Sequence, residues 1–219
     1  MVEITWVRHG QANTGAADED SYDRLSPLGT LQAEWLGEHW AATGRSFDRV
    51  VSGTFRRQSG TASAISGHLN LAHDEDPRLN ELDYFGLTQS VQASHAMSPP
   101  KSRDEFLAHM PQVMALWDQG EIGSHVETYA AFEARVAAMI AEAEAMSGRV
   151  LYVTSGGVIG MAMRLLLGLS THAFSGVLLQ IHNTSVHRFV KAGDRLVLDC
   201  FNAVPHLERT DRVHGLTWL

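Results

Sequence analysis

Hydrophobic and polar positions alternate along the chain in blocks that predict strands followed by helices. β-Branched and aromatic residues at 3–7, 48–52 and 149–154 form short apolar runs between polar turns, which is typical of buried strands. Apolar residues at helical spacing predict helices over 27–43, 58–69 and 157–167. Because strands and helices alternate, the pattern favours an α/β fold: a three-layer sandwich with a mostly parallel central sheet and helices on both faces.

The remaining segments add strands and a helical middle to this plan. We expect strands at 79–83, 185–191 and 195–201, and a long Ala- and Glu-rich helix over 128–146. Residues 89–126 contain three prolines, several methionines and an amphipathic piece at 104–117. We interpret 89–126 as a helical insertion that covers the site, within a single domain over 1–219, because no flexible linker separates it.

Composition and charge narrow the classes of protein that fit. The chain has 219 residues, one cysteine and a formal net charge of −8, which excludes a disulfide scaffold and argues against a nucleic-acid partner. The N-terminus lacks a basic leader, and the most apolar stretch, 158–169, is interrupted by Arg164. We therefore expect a cytoplasmic protein with no membrane partner, in which a local basic pocket binds any anionic ligand.

Cationic and flexible residues follow several of the predicted strands. Arg8, His9 and Gly10 come directly after the first strand, and two arginines follow the second. The carboxyl ends of parallel strands meet at one edge of a sheet, where ligands gather. We expect a cleft there that combines an imidazole, two or three guanidinium groups, the carboxylate of Glu81 and a helix N-terminus. Such a cleft suits a phosphoryl group.

Seven motifs, in this order and spacing, resemble the histidine phosphatase superfamily, the phosphoglycerate mutase-like or RHG enzymes. They are VRHGQAN at 7–13, YDRLSPLGTLQA at 22–33, SGTFRRQSGTA at 52–62, RLNELDYFG at 78–86, ETYAAFEARV at 127–136, VTSGGVI at 153–159 and NTSV at 183–186. The resemblance spans most of the chain. It implies a phosphoglycerate mutase-like fold and the hydrolysis of a phosphomonoester, either a small phosphorylated metabolite or a phosphorylated side chain.

The resemblance also assigns roles to individual residues. It implies that His9 is the nucleophile and that Arg8 and Arg57 bind phosphate; the family pattern R-x-x-x-T-A selects Arg57 over Arg56 because Thr61 and Ala62 follow. The general acid would be Glu81, with Asp83 in reserve on the same face of a strand. The expected substrate-binding residues are Arg8, Arg57, Asn13, Ser155 and Gly156. Glu127 either contacts the site or caps the helix that begins near 128.

The chemistry explains why these residue types belong together. Attack on phosphorus needs a neutral imidazole nitrogen, and Arg8 and Arg57 would lower the pKa of His9 because each disfavours a further positive charge. Glu81 would protonate the leaving alkoxide and then take a proton from the attacking water. This mechanism needs no cofactor and no metal, and the twelve histidines form no metal-ligand spacing with cysteines or carboxylates.

The sequence departs from the family at one position. Ser155 stands where the family has a second histidine, and we expect a cost of about 2 to 4 kcal/mol of transition-state stabilisation. His125 or His95 in the insertion is an alternative source of the missing imidazole. Two alternative functions stay open: a phosphoglycerate mutase-like phosphotransferase, and a phosphate-binding protein with weak or no catalytic turnover. The oligomeric state also stays open, with a homodimer as one possibility.

Overall fold

Strands and helices alternate through the first half of the chain, as the hydrophobic pattern predicts. The computed structural model describes residues 1–13, 19–123 and 125–218. Its strands are β1 Val2–Arg8, β2 Arg49–Ser52, β3 Asp74–Glu75, β4 Gly148–Thr154, β5 Val186–Ala192 and β6 Arg195–Ala203. Its α-helices are α1 Glu19–Tyr22, α2 Pro27–Ala42, α3 Arg56–Leu69, α4 Tyr84–His95, α5 Arg103–Asp118, α6 Tyr129–Ala145, α7 Gly156–Leu167 and α8 Thr171–Leu178.

The six strands form one sheet in the order β3-β2-β4-β1-β5-β6. The first four run parallel, and β5 and β6 are antiparallel additions beside β1. Arg8 is paired with Thr154, and Ser52 with Val153, so β1, β4 and β2 end side by side. The loops that follow these three strands therefore start from one edge of the sheet.

Helices cover both faces of the sheet, because successive strand residues point to opposite sides. Val150 and Tyr152 of β4 belong to the core beneath α4 to α8, whereas Leu151 and Val153 belong to the core beneath α2 and α3. All four side chains are buried. The predicted three-layer α/β sandwich with a mostly parallel sheet is confirmed.

The predicted strand at 79–83 is wrong. Pro77–Leu79 form a 3-10 turn that Asp76 caps by accepting a hydrogen bond from Arg78 N at 2.9 Å, and the two residues of β3 provide the third parallel strand instead. The carbonyl of Asn80 accepts from Arg135 Nη1 rather than from a neighbouring strand, which explains the difference. Asp83 is the N-cap of α4 and accepts from Gly86 N at 2.8 Å, so its predicted place on a strand face beside Glu81 is also wrong.

The middle of the chain is helical, as expected, but its first helix starts earlier than position 89. Helix α4 begins at Tyr84 and α5 at Arg103, and both pack on the larger core. The description of 89–126 as an insertion into a single domain stays a prediction. No helix among the described residues is long and apolar enough to cross a membrane.

Candidate active site

His9 lies in the loop directly after β1 and is almost fully buried, with 2% of its surface exposed. Its backbone is held on both sides: its N–H donates to Thr154 O at 2.8 Å, and its carbonyl accepts from Asn183 Nδ2 at 3.1 Å. Its Nδ1 is 2.7 Å from Gly10 O. A carbonyl oxygen only accepts, so Nδ1 carries the proton and the Nε2 lone pair is left for another partner.

The surroundings of His9 keep its ring neutral. The pKa of His9 is held well below its ordinary value, first by burial and then by the positive charges of Arg57 and Arg8; the hydrogen bond to Gly10 opposes them. All three lowering effects disfavour the imidazolium, as the sequence analysis expects for the arginines. An uncharged imidazole with a free nitrogen is a nucleophile.

Arg8 is fixed by two backbone carbonyls from distant parts of the chain. Its Nη1 donates to Ile181 O at 2.5 Å and to Trp218 O at 2.7 Å. Its Nε is buried with no hydrogen-bond partner among the described residues, and a Cβ placed on Gly156 would lie 3.9 Å from it. This N–H therefore lies beside the N-terminus of α7, where a bound anion would be favoured.

Arg57, in the first turn of α3, is 1% exposed and is held by Asp23. One oxygen of the Asp23 carboxylate lies 3.1 Å from Nη1 and also accepts from the backbone N of Arg57, while the other accepts from Arg56 N. The rings of Tyr22 and Phe55 lie 4.9 and 4.7 Å from the guanidinium carbon. The neighbouring Arg56 is exposed.

Glu81 is positioned by the N-terminus of α7. Its Oε2 accepts from Gly157 N at 3.1 Å, and its Oε1 accepts from Leu82 N at 3.0 Å. A Cβ on Gly157 would lie 2.2 Å from Oε1, so the carboxylate approaches this helix only because residue 157 has no side chain. The loop after the 3-10 turn thereby brings Glu81 to the same edge as His9.

A half-buried ion pair that the sequence does not reveal, between Arg135 and Glu127, supports the loop before Glu81. Arg135 Nη1 donates to Arg78 O at 2.7 Å and to Asn80 O at 2.6 Å. Glu127 holds the same guanidinium with two hydrogen bonds of 2.8 and 2.9 Å. Thr128, and not Glu127, caps helix α6. Glu127 does not belong to the described cavity wall either; its carboxylate holds the Arg135 guanidinium that supports the loop.

These residues meet in one cavity of about 590 Å³. The predicted residues in its wall are Arg8, His9, Arg57, Glu81 and Gly156. The two candidate substitutes for the missing histidine, His95 and His125, are exposed and do not belong to the described wall. Among the described residues, no group of three or more histidine, cysteine, aspartate or glutamate side chains is placed to hold a metal ion.

Two predicted substrate-binding residues lie outside the cavity wall. Ser155 is fully buried, and its Oγ accepts from Gln58 Nε2 at 2.8 Å. Asn13 is exposed, and its side-chain amide donates to Ser21 O at 3.0 Å. Both hydrogen bonds are internal to the protein, so the contacts of Ser155 and Asn13 with a substrate stay predictions.

Comparison of the chain with protein-family models identifies the family to which this cavity belongs. The model of the histidine phosphatase superfamily (branch 1) matches residues 4–204, which includes every element of the cavity except the C-terminal segment. The chain belongs to the histidine phosphatase superfamily. The family and the enzyme class predicted from the seven motifs, a phosphatase, are confirmed.

Solved structures of histidine phosphatases share the fold over almost the whole chain. A mycobacterial glucosyl-3-phosphoglycerate phosphatase with VO3 is 24% identical, with a TM-score of 0.69 over 93% of this chain and 100% of that one. A phosphoserine phosphatase from Entamoeba histolytica with 3-phosphoglyceric acid is 19% identical, with a TM-score of 0.67 over 94% and 100%. An alpha-ribazole phosphatase from Shigella flexneri is 20% identical, with a TM-score of 0.66 over 92% and 96%. No functionally curated protein matches the chain in sequence.

Proposed function

We propose that this histidine phosphatase hydrolyses phosphomonoesters through a phosphohistidine on Nε2 of His9. The observation that supports this most directly is the neutral imidazole of His9, whose pKa is lowered first by burial and then by the two guanidinium groups that share its cavity. An imidazole kept uncharged beside two cations is suited to attack an anion that those cations bind.

The proposed reaction has two steps. In the first, Nε2 of His9 forms a bond to phosphorus, the bond from phosphorus to the ester oxygen breaks, and the Glu81 carboxyl gives its proton to that oxygen. In the second, water attacks phosphorus, Glu81 takes the proton of the water, and the P–N bond breaks to release phosphate. Arg8 and Arg57 neutralise the phosphoryl oxygens in both steps.

The structural relatives indicate the size of substrate to test. Phosphoserine phosphatase and glucosyl-3-phosphoglycerate phosphatase, each about the length of this chain, are named for small phosphorylated metabolites. We extend this to the present protein and propose a phosphorylated small molecule as its substrate. Inorganic phosphate, the shared product, would then be a competitive inhibitor.

The first experiment compares His9→Ala with His125→Ala on p-nitrophenyl phosphate. His9→Ala removes the nucleophile, so we expect at least a thousandfold loss of kcat, while exposed His125 serves as the matched control. A ³²P-labelled substrate, quenched in alkaline detergent where phosphohistidine survives, should label the parent and not His9→Ala. Turnover without label on His9 would refute the covalent route, and label without release of phosphate to water would favour a phosphotransferase.

The adjacent arginines of α3 provide a second matched pair. Arg57→Gln removes a buried guanidinium from the cavity, and Arg56→Gln removes an exposed one from the next position. We expect a loss of about 10²- to 10³-fold in kcat/KM for Arg57→Gln, the usual cost of one transition-state donor, and less than about threefold for Arg56→Gln. Equal effects of the two variants would contradict the proposed place of the phosphoryl group.

A further inference from the structure

Beyond its phosphate end, the cavity has an apolar wall. The wall is built from the start of α4, the middle of α5, the end of α8 and the C-terminal segment; six of its side chains are Tyr84, Phe85, Phe106, Met110, Leu179 and Trp218. The total volume of about 590 Å³ leaves room for a ligand much larger than phosphate. A substrate alcohol that fills this part of the cavity contacts the apolar surface.

The polar groups of this wall are few, and one of them is already hydrogen-bonded within the protein. The hydroxyl of Tyr84 is 2.9 Å from Nδ1 of His109, so it is occupied within the protein, and the ring of Tyr84 packs edge-on against Phe106 at 5.3 Å. Beyond the tyrosines, the polar uncharged groups of the described wall are the side chains of Thr88 and Gln89 and the indole N–H of Trp218, which is buried with no hydrogen-bond partner among the described residues. A polyhydroxylated sugar would therefore find few hydrogen-bond partners along this wall.

The cations and the carboxyl group of the described wall, which are Arg8, Arg57 and Glu81, are confined to the phosphate end, beside the neutral ring of His9. Two further cations are close by but outside the wall. The guanidinium of Arg103 lies 4.9 Å from the ring centre of Trp218, and Lys101 belongs to a separate surface pocket behind Pro99 and Pro100. A substrate carboxylate against the apolar residues would be desolvated with no cation of the wall in contact with it, which is unfavourable.

From this wall, and on the basis of the proposed phosphatase function, we infer the substrate class: a phosphomonoester of an aryl or extended hydrocarbon alcohol without a carboxylate. The phosphoryl group binds between Arg8 and Arg57, and the apolar part lies along Phe85, Phe106 and Trp218. This differs from the carboxylated phosphoserine and 3-phosphoglyceric acid in the structures of a relative. The apolar wall acts as the specificity determinant for the alcohol.

Alkylphosphonates test this inference without requiring turnover, because their P–C bond is not hydrolysed. We expect the Kd from isothermal titration calorimetry to fall by about fourfold for each added methylene from ethyl- to octylphosphonate, until the cavity is filled. A hexylphosphonate whose terminal methyl is replaced by carboxylate should bind at least tenfold more weakly than hexylphosphonate itself. A Kd independent of chain length, or tighter binding of the carboxylated compound, would overturn the inference.

Phe85 offers a variant that should fold, because it is 38% exposed while lining the cavity. Phe85→Ala should flatten the dependence of Kd on chain length, and Phe85→Arg should reverse the preference toward the carboxylated phosphonate. Leu198→Ala, at an equally exposed apolar residue of β6 outside the wall, should change neither. An unchanged preference in Phe85→Arg would also overturn the inference.

The same series separates this inference from the proposed function. Phosphonates that bind with the expected dependence on length, in a protein that releases no phosphate from alkyl phosphates, would support the ligand class and refute the phosphatase reaction. Turnover that favours phosphoserine or 3-phosphoglycerate over octyl phosphate would support the phosphatase reaction and refute the ligand class.

Discussion

The backbone N–H of Gly157 donates a hydrogen bond to Oε2 of Glu81 at 3.1 Å, and the carboxylate fits there only because residue 157 has no side chain. The helix N-terminus that favours an anion thus also orients the residue proposed to move protons. Glycine is required here by close approach rather than by an unusual backbone angle, because Gly157 lies in the first turn of α7.

Gly157→Ala should therefore displace Glu81. The new Cβ would lie 2.2 Å from Oε1 and 2.7 Å from a methyl carbon of Leu82, so the carboxylate must move away from the helix. We expect kcat to fall at least a hundredfold, since general acid-base catalysis contributes about 10² to 10⁴. Steady-state kinetics on p-nitrophenyl phosphate measure this.

Gly67→Ala provides the control for helix propensity. Gly67 lies in α3 and has open space where the methyl group of alanine would stand, so alanine should raise the free energy of unfolding by about 0.5 to 1 kcal/mol and leave kcat unchanged. If Gly157→Ala kept full activity, Glu81 would not need its hydrogen bond to α7.

The catalytic edge can be located from the sequence because its main signals are local. Arg8 is the last residue of β1 and His9 follows it directly. The spacing from Arg57 to Thr61 distinguishes Arg57, which the structure places in the cavity, from Arg56, which it places at the surface. The fold class follows from the alternation of strands and helices in the same way.

The supporting contacts could not be predicted because they join distant segments. Asp23 reaches Arg57 across 34 positions, and Arg135 reaches the carbonyl of Arg78 across 57. Neither pair has a periodicity or a spacing that a single sequence reveals. The strand predicted at 79–83 fails for the same reason, because side chains from distant segments, rather than a neighbouring strand, bind the carbonyls of Leu79 and Asn80.

The lowered pKa of His9 predicts a pH profile. Because the pKa of His9 is below 6.5, the ordinary value of a histidine, His9 stays neutral at a lower pH than an ordinary histidine does. The acidic limb of the kcat/KM profile should therefore lie below pH 6.5. Arg57→Gln removes one of the charges that lower this pKa and should move the limb to higher pH, whereas Arg56→Gln should not move it. Comparing variants on one substrate cancels the ionisation of the substrate phosphate, which titrates near about pH 6.

A direct titration completes this test. The imidazole carbon resonances of His9, assigned by comparison with His9→Ala, should titrate below pH 6.5, the ordinary value of a histidine. A His9 that takes up its proton at or above pH 6.5 would contradict the neutral nucleophile.

Ser155 should prove structural rather than catalytic. Its hydroxyl is fully buried and accepts from Gln58 Nε2, whose side chain also donates to Leu79 O at 3.2 Å. Ser155→Ala removes the oxygen that accepts one hydrogen bond from the buried Gln58 amide. We therefore expect the free energy of unfolding to fall by about 1 kcal/mol and kcat/KM to change less than about threefold. Ser155→His should overpack the site, cost about 1 to 3 kcal/mol and give no gain in rate.

Ser52 provides a matched control for Ser155. It is equally buried, at the end of β2, but its hydroxyl has no hydrogen-bond partner among the described residues. Ser52→Ala should therefore leave both stability and rate nearly unchanged. A hundredfold loss of kcat in Ser155→Ala, or a gain in Ser155→His, would instead assign Ser155 to the phosphoryl group.

Two buried histidines outside the cavity should make the protein sensitive to acid. Burial lowers the pKa of His187 and of His206 to about 3, while their pKa in the unfolded chain is near 6.5. Between these values the unfolded chain binds protons that the folded protein does not. Stability should therefore be full above pH 6.5 and fall as the pH is lowered, by up to about 1.4 kcal/mol per pH unit for each histidine.

His206→Gln isolates one of the two contributions. Its Nε2 is 2.8 Å from Thr184 Oγ1, a hydrogen bond that glutamine can replace. Urea unfolding at pH 7.5 and pH 5.0 should show that the variant loses about 2 kcal/mol less than the parent on acidification, because one proton-binding site has been removed from the unfolded chain. Exposed His125→Gln should lose as much as the parent. An equal loss in His206→Gln would mean that His206 accepts its proton while the protein is still folded.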